Sequence, residues 1–246
     1  MPTLVSTNDL TTGDLVMGNL SHPGLGRISS FAPTPPSHWW QLDAIPFVDS
    51  VGNWDFTNNG VSIGVGTGPD GRNCGEWHYS DNLVQTARVW PENQYTVGGM
   101  YLNTSQTSSV GNYLLNHRDS GGNVHGLAYR TDATPRVQGV AWDAAATSAL
   151  AEKTGVGGSL NVWYHLMMTV DMVADVIVLY LDGVEVDRTT STGQTTAVLD
   201  PVDIYFGVLG TAPTNPAFYH LGRCEGWGLW DSVLDQDNIN FYANVS

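Results

Sequence analysis

The clearest hydrophobic pattern in the chain lies between residues 163 and 187. Residues 163–170 and 176–181 are apolar runs, and the second is followed by Asp182-Gly183 and the alternating residues 184–187. Asp-Gly between β-forming residues predicts a two-residue hairpin turn, because both turn positions need a positive φ. Apolar side chains occupy both phases of the alternation in residues 176–181, which is typical of a strand buried on both faces. This stretch predicts a three-stranded meander at the centre of an all-β core.

Shorter apolar runs, separated by Gly-, Asp- and Ser-rich turns, predict further strands. A strand at residues 226–230 places Trp227 and Leu229 on one face and Trp230 on the other. The remaining predicted strands are residues 61–65, 73–78, 84–89, 95–102, 113–117, 126–130 and 136–142, with one or two more within 198–208.

Two segments have helical features. Asp235 is a predicted N-cap of a helix of one to two turns, whose Ile239 and Tyr242 pack back beside Leu234. Residues 144–153 have an alanine-rich, helical composition and are also predicted as a helix.

The first part of the chain differs from the rest. Residues 1–37 are rich in Thr, Ser, Gly, Asn and Pro, and the proline run at 33–36 favours extended backbone. No linker or repeat follows, so we predict an extended N-terminal arm at 1–37 and one β-sandwich domain at 38–246. The arm would lie across neighbouring subunits.

The charge is strongly negative. Nine lysine and arginine residues oppose 24 aspartate and glutamate residues, which gives a formal net charge of −15. Nucleic acid and anionic membranes require a cationic patch, so neither is an expected partner. The N-terminus lacks a signal-peptide pattern, and no apolar stretch is long enough to span a membrane, so synthesis in a cytosol is expected.

The two cysteines leave several possibilities open. Cys74 precedes His78 by four residues, and His220 precedes Cys224 by four, so a zinc site with two Cys and two His ligands is one possibility. Residues four apart on a strand stand roughly 13 Å from each other, so such a site requires turns at both places. A disulfide between the two cysteines is a second possibility, and two free buried thiols are a third.

The sequence lacks a recognisable catalytic pattern. The five glutamates are scattered along the sequence. Glu185 and Asp187 are two residues apart and are predicted to lie on the solvent side of an edge strand. A retaining glycosidase needs two carboxyl groups about 5–5.5 Å apart, and no other pair has suitable spacing. His165 lies in an apolar strand and is interpreted as a packing residue. We predict that the chain is not an enzyme.

Three motifs occur in order along the chain: the opening segment from Trp40-x-Leu42-Asp43 to Asp49-x-x-Gly52-Asn53, the 163–183 hairpin, and the terminal 225–230 strand with its helix. Together they resemble the laminin-G-like branch of the concanavalin A-like lectin/glucanase superfamily. Glu225-Gly226 stands where the family usually has Asp-Glu. The resemblance implies an all-β fold, a jelly-roll sandwich of two antiparallel sheets, with the arm and the short C-terminal helix added.

The resemblance also implies a Ca²⁺ site, in which oxygens of the opening loop meet the acid that begins the final strand. The matching residues are Asp49, Asn53, Asn58 and Glu225. The alternative is that aspartates are simply common in turns. Nine tryptophans exceed the needs of a core, so exposed rings that bind ligand are expected among them, unless they fill the core or an interface. The predicted ligand-binding rings are Trp54, Trp90 and Trp142.

We predict a non-enzymatic structural and binding protein of a larger assembly, namely a surface protein of a phage or viral virion such as a capsid decoration or tail protein. The arm would bind other copies of the chain or shell proteins of the virion, after synthesis in the host cytoplasm. The alternative is a calcium-dependent, lectin-like module that binds surface glycans. Neither function involves nucleic acid or membrane insertion.

Overall fold

The computed structural model describes residues 31–78, 81–88, 90, 93–105, 112–118, 124–130, 134–142, 148–190, 202–208 and 219–245. The chain divides into two compact units, Met1–Ala32 and Pro33–Ser246. Residues 1–30 of the first unit, and with them most of the predicted arm, lie outside the described residues.

The second unit is built almost entirely from β-strands. In chain order its elements are β1 (His38–Trp40), β2 (Thr57–Asn59), β3 (Ser62–Gly64), β4 (Cys74–Trp77), β5 (Asn82–Arg88), β6 (Gln94–Asn103), β7 (Asn112–Arg118), β8 (Val124–Arg130), β9 (Arg136–Trp142), β10 (Ser148–Thr154), β11 (Trp163–Asp171), β12 (Val176–Leu181), β13 (Val184–Thr190), β14 (Val202–Phe206), β15 (Gly222–Trp230) and the helix α1 (Gln236–Val245).

The strands form two antiparallel sheets. Sheet A has the order β13-β12-β11-β6-β15-β4-β3, and β1 also pairs with β15. Sheet B has the order β10-β9-β8-β7-β14-β5-β2. The chain passes from sheet A at β6 to sheet B for β7 to β10, and returns to sheet A at β11. The two sheets enclose one apolar core, which confirms the two-sheet jelly-roll sandwich.

The central meander forms as predicted. Asp182 and Gly183 have φ values of 51° and 78°, the positive pair that a type I′ turn requires. Ile177 and Leu179 of β12 lie in the core between the sheets, and Tyr180 lies in a second apolar cluster on the other side of sheet A. The apolar residues in both phases of this strand are explained by these two clusters.

The second cluster is closed by the C-terminal helix. Ile239 and Tyr242 of α1 are buried against Leu234 and Trp230, as predicted, and the helix is longer than the predicted one to two turns. The Asp235 carboxylate accepts a hydrogen bond from the Asn238 backbone N–H at 2.9 Å, which confirms the N-cap. The outer face of sheet A is covered here.

The helix predicted at 144–153 is wrong for its described part. Residues Ser148–Thr154 form β10, which pairs with β9. Ala149 and Ala151 are buried while Leu150 is exposed, so the period is two residues. Packing against the sandwich decides this structure over the helix propensity of alanine.

Residues that precede the predicted domain boundary at His38 form hydrogen bonds with the sandwich. The indole of Trp230 donates to the Thr34 carbonyl at 3.1 Å, and the Tyr242 hydroxyl donates to the same oxygen at 2.7 Å. The backbone N–H of Ser37 donates to the Leu229 carbonyl at 2.8 Å. Residues just before β1 are therefore hydrogen-bonded to β15 and α1.

Candidate ligand-binding face

One face of the sandwich is polar, aromatic and half-exposed. In β9 every second residue is buried between the sheets, and the residues between them point to the outer side of sheet B. Among the described residues, the helix packs on sheet A and no element crosses this side of sheet B. We call this side the open face. Its β9 residues are Arg136, Gln138, Val140 and Trp142.

A row of cross-strand neighbours shapes the middle of the open face. Tyr113 of β7 pairs with Ala128 of β8, Ala128 pairs with Gln138, and Gln138 pairs with Glu152 of β10. Ala128 is only 3% exposed, whereas its neighbours Tyr113 and Gln138 are half-buried. The row therefore presents a tyrosine ring and a carboxamide, and not the alanine, to a ligand.

The polar side chains on the β9–β10 side of this row hold one another in place. Glu152 accepts two hydrogen bonds from Nη1 of Arg136, at 3.1 and 3.3 Å, and another from the Gln138 amide. The backbone N–H of Glu152 donates to the carboxylate of Asp187 at 2.8 Å, which ties β10 to β13 of sheet A. Fixed polar groups of this kind orient a ligand without further loss of side-chain entropy.

Aromatic rings stand on two sides of the open face. Trp142 is half-exposed at the end of β9, and its backbone N–H donates to Nδ1 of His125 at 3.2 Å. Tyr205 of β14 is also half-buried and pairs with Asn116. Half-exposed aromatic rings beside oriented polar groups suit the apolar faces and hydroxyl groups of a sugar.

Only Trp142 of the three predicted ligand-binding tryptophans has the expected exposure. Trp54 is 9% exposed and stacks on His38 with ring centroids 3.8 Å apart. Trp90 is 3% exposed and packs edge to face on Tyr95. Both rings belong to the core between the sheets and present no face to a ligand.

The predicted calcium ligand Asp49 is surrounded by hydrogen-bond donors. Its carboxylate accepts backbone N–H groups from Trp39, Val51, Gly52 and Trp54 at 2.9 to 3.2 Å. The Nδ1 atom of His38 lies 2.5 Å from Oδ2. Burial works against the ionised carboxyl, but these hydrogen bonds outweigh it and lower the pKa of Asp49 to about 2. The carboxylate organises the opening loop.

Glu225 lies elsewhere, under the loop between β3 and β4. Its Oε1 is 3.1 Å from Arg72 and accepts a hydrogen bond from the Gln41 amide at 3.4 Å. Its Oε2 is buried without a hydrogen-bond partner and faces Gly68, where an added Cβ would clash with it. Burial, helped by nearby Asp70, raises the pKa of Glu225 to about 7, although Arg72 opposes the shift.

The four predicted ligands do not fit a calcium ion as arranged here. Asn58 belongs to β2 of sheet B and donates to the Val61 carbonyl, whereas Glu225 belongs to sheet A. Asn53 is exposed in the opening loop. Calcium needs six to eight oxygens, and those of Asp49 already accept N–H groups. Within the part of the chain that the structure describes, no three His, Cys, Asp or Glu side chains are grouped to hold a metal.

The cysteines are free and buried, and they point to opposite sides of sheet A. Cys224 lies in the core between the sheets and pairs with Gly75, so the adjacent Cys74 faces the other way. Nε2 of His220 lies 3.3 Å from the Cys224 sulfur, a contact that is possible because His220 precedes the start of β15. Burial raises the pKa of Cys224 well above its usual value and lowers the pKa of His220 to about 3. This pair therefore lacks the thiolate of a nucleophile.

The two carboxylates of β13 have separate partners. Glu185 is exposed and pairs with Arg188 at 2.6 Å, while Asp187 accepts the Glu152 backbone N–H. His165, predicted as a packing residue, is 3% exposed. These contacts are structural.

Sequence reasoning missed most of the open face. The signal was present in the strict alternation of residues 136–142, but alternation alone does not reveal which side of a sheet stays open. The overlooked residues are Tyr113, Arg130, Arg136, Gln138, Glu152 and Tyr205.

A jelly-roll sandwich with one helix-covered sheet and one polar, aromatic face has the fold of lectin-like binding domains. The chain belongs to the concanavalin A-like lectin/glucanases superfamily, whose family model matches residues 78–240. This confirms the resemblance seen in the sequence motifs. No curated protein matches the sequence.

Solved structures share the fold at low identity. Domain 4 of AbnA, an extracellular arabinanase from Geobacillus stearothermophilus, in complex with arabinotriose, is 16% identical with a TM-score of 0.62, covering 87% of this chain and all of that one. The binding domain of Paraclostridial Mosquitocidal Protein 1 is 14% identical (TM-score 0.64), and the ligand-binding domain of botulinum neurotoxin serotype D in complex with N-acetylneuraminic acid is 13% identical (TM-score 0.61). The match to each of these two structures covers 85% of this chain. It covers 52% of the first structure's own chain and 50% of the second's, so this chain spans about half of their length.

The helix content of the described residues bears on membrane insertion. None of their helices is long and apolar enough to cross a bilayer.

Proposed function

We propose that the chain is a non-enzymatic carbohydrate-binding module and that the open face binds the sugar. The observation that carries this proposal is the combination of the half-exposed Trp142 ring with the fixed Arg136–Glu152–Gln138 cluster on one face. Rings supply stacking area for sugar carbons, and oriented polar groups supply hydrogen bonds to hydroxyls. Two structures with this fold hold a bound saccharide, which supports the proposal.

A glycan array tests this function. The intact protein is expected to bind a defined set of glycans, and Trp142→Ala and Tyr113→Ala are expected to weaken the binding about tenfold, the loss that corresponds to one aromatic contact. Val173→Ala, at an exposed turn of sheet A, is the matched control and should bind as the parent does. Absence of binding by the intact protein to every glycan on the array would contradict the proposal.

The wider setting that we propose is the surface of a phage or viral virion, as a capsid decoration or tail protein made in the host cytoplasm. The composition of residues 1–37 supports this role, because a polar segment with a proline run favours extended backbone that can lie across other copies or shell proteins. The net charge of −15 also suits a solvent-facing protein.

Deletion of residues 1–30 tests the assembly role. The shortened chain should keep the thermal unfolding transition of the sandwich and lose incorporation into particles. Full incorporation of the shortened chain would contradict a role for this segment in assembly.

Calcium dependence of the glycan binding stays a prediction. The contacts around Asp49 do not favour it, and a glycan array run with and without a chelator decides it.

A further inference from the structure

Two arginines stand directly opposite each other on the open face. Arg130 of β8 pairs with Arg136 of β9, one row beyond the Ala128–Gln138 pair and next to the hairpin that joins the two strands. Like charges directly opposite each other in an antiparallel sheet are destabilising. Such a pair needs compensation from an anion.

The protein supplies only part of this compensation. Arg136 is paired with Glu152, whose second oxygen also accepts the Gln138 amide. Arg130 is half-buried and makes no ion pair with a described residue, and Nε has no hydrogen-bond partner in either arginine. Among the described residues, Glu152 is the carboxylate that pairs with Arg136, and none pairs with Arg130.

The charge balance of the whole chain makes this pair unusual. Lysine and arginine number 9 against 24 acidic residues, so neutralising carboxylates are abundant in the sequence. Screening in physiological salt limits the repulsion from distant acids to about 8 Å, so a local cationic pair can still attract an anion.

We propose that the open face selects glycans that carry a carboxylate, such as uronates or sialic acids, and that Arg130 with Arg136 binds that group. This rests on the proposed sugar-binding function and names its ligand class. A guanidinium group binds a carboxylate through two parallel hydrogen bonds. Arg136 contacts Glu152 through Nη1 alone, and its Nε has no hydrogen-bond partner. Tyr113 and Trp142 on the same face offer rings to the sugar that bears the acid.

Calorimetric titration of the full-length chain tests the proposal with matched ligands. These are 3′-sialyllactose against lactose, and oligogalacturonate against its carboxyl-reduced counterpart. We expect at least one acidic ligand to bind about tenfold or more tightly than its neutral partner, as a charge-assisted hydrogen bond would give. Arg130→Gln should abolish the preference while weak binding of the neutral ligand persists. Arg188→Gln, an exposed arginine of sheet A, should leave the preference unchanged.

The outcomes separate this inference from the function on which it rests. Equal binding of neutral and acidic partners, or a preference that survives Arg130→Gln, overturns the carboxylate assignment while sugar binding stands. A preference for lactose-3′-sulfate over 3′-sialyllactose also overturns it, in favour of sulfated ligands. Absence of binding to every glycan, here and on the array, overturns the sugar-binding function itself.

Discussion

The imidazole rings of His117 and His125 stack in the core with centroids 4.2 Å apart and planes 15° apart. They are neighbours on β7 and β8, and both are buried. Neither nitrogen of His117 has a hydrogen-bond partner, and burial together with the adjacent His125 holds the pKa of His117 well below its usual value. The fold therefore requires a neutral ring at this position.

We expect the protein to lose stability as the pH falls below about 6.5. Burial also lowers the pKa of His165 and of His220 to about 3. The unfolded chain takes up protons below pH 6.5, whereas the folded chain does so only near pH 3, so these groups favour unfolding throughout that window. At pH 5 each of these two histidines costs about 2 kcal/mol relative to pH 7. Urea unfolding at both pH values measures the loss.

His117→Phe isolates one part of this effect. Phenylalanine cannot be protonated, so the variant should lose less stability than the parent between pH 7 and pH 5. His78→Asn, at an exposed position, is the control and should keep the parental dependence. A parental pH dependence in His117→Phe would show that the ring accepts a proton without unfolding.

Glu225 is expected to act with the opposite sign. Its folded pKa of about 7 lies above the ordinary value of 4.5, so its contribution is fully present below pH 4.5 and is lost as the pH rises through 7. Glu225→Gln removes a buried carboxylate that is costly when ionised. The variant should be more stable than the parent by about 1–3 kcal/mol at pH 8 and similar to it near pH 4.5.

Thermal unfolding at both pH values measures this difference. Glu185→Gln, in an exposed ion pair with Arg188, should show no comparable gain at pH 8. A lower stability of Glu225→Gln at pH 8 would mean that the ion pair with Arg72 outweighs the burial of the carboxylate.

The parts of the fold that were predictable have local causes. The turn at Asp182-Gly183 has two positive φ values, and Asp-Gly is one of the residue pairs that prefer such a turn. The two-phase apolar run of β12 and the N-cap at Asp235 are likewise decided within a few residues. These local signals do not depend on contacts with residues distant in the sequence.

The candidate site was less predictable because its residues are selected by contacts distant in sequence. Trp90 and Trp142 both stand at strand ends in the sequence, yet Trp90 packs on Tyr95 in the core and Trp142 remains half-exposed. Arg130 and Arg136 become a pair only through strand register, and a register also depends on the neighbouring strands. The pattern around Asp49 suits either a calcium loop or an N–H-capped turn, and only the backbone geometry distinguishes them.

Asp49→Asn should destabilise the protein by about 2–4 kcal/mol at pH 7. The amide replaces one accepting oxygen with a donor, which then faces backbone N–H groups and His38. Because the pKa of Asp49 is lowered from 3.8 to about 2, its stabilising contribution is lost as the pH falls through that window. The cost of the substitution should shrink accordingly near pH 2. Asp231→Asn, at an exposed position, serves as the control for urea unfolding.

The two thiols should be inert in the native protein. Cys74 and Cys224 are fully buried and face opposite sides of sheet A, and burial raises the pKa of both thiols. A thiol reagent such as 5,5′-dithiobis(2-nitrobenzoic acid) attacks thiolates, so neither should react until the chain unfolds. Thr190→Cys, at the exposed end of β13, is the matched control and should react at once. Rapid labelling of the parent chain, or a melting temperature that falls with a reducing agent, would contradict two free and buried thiols.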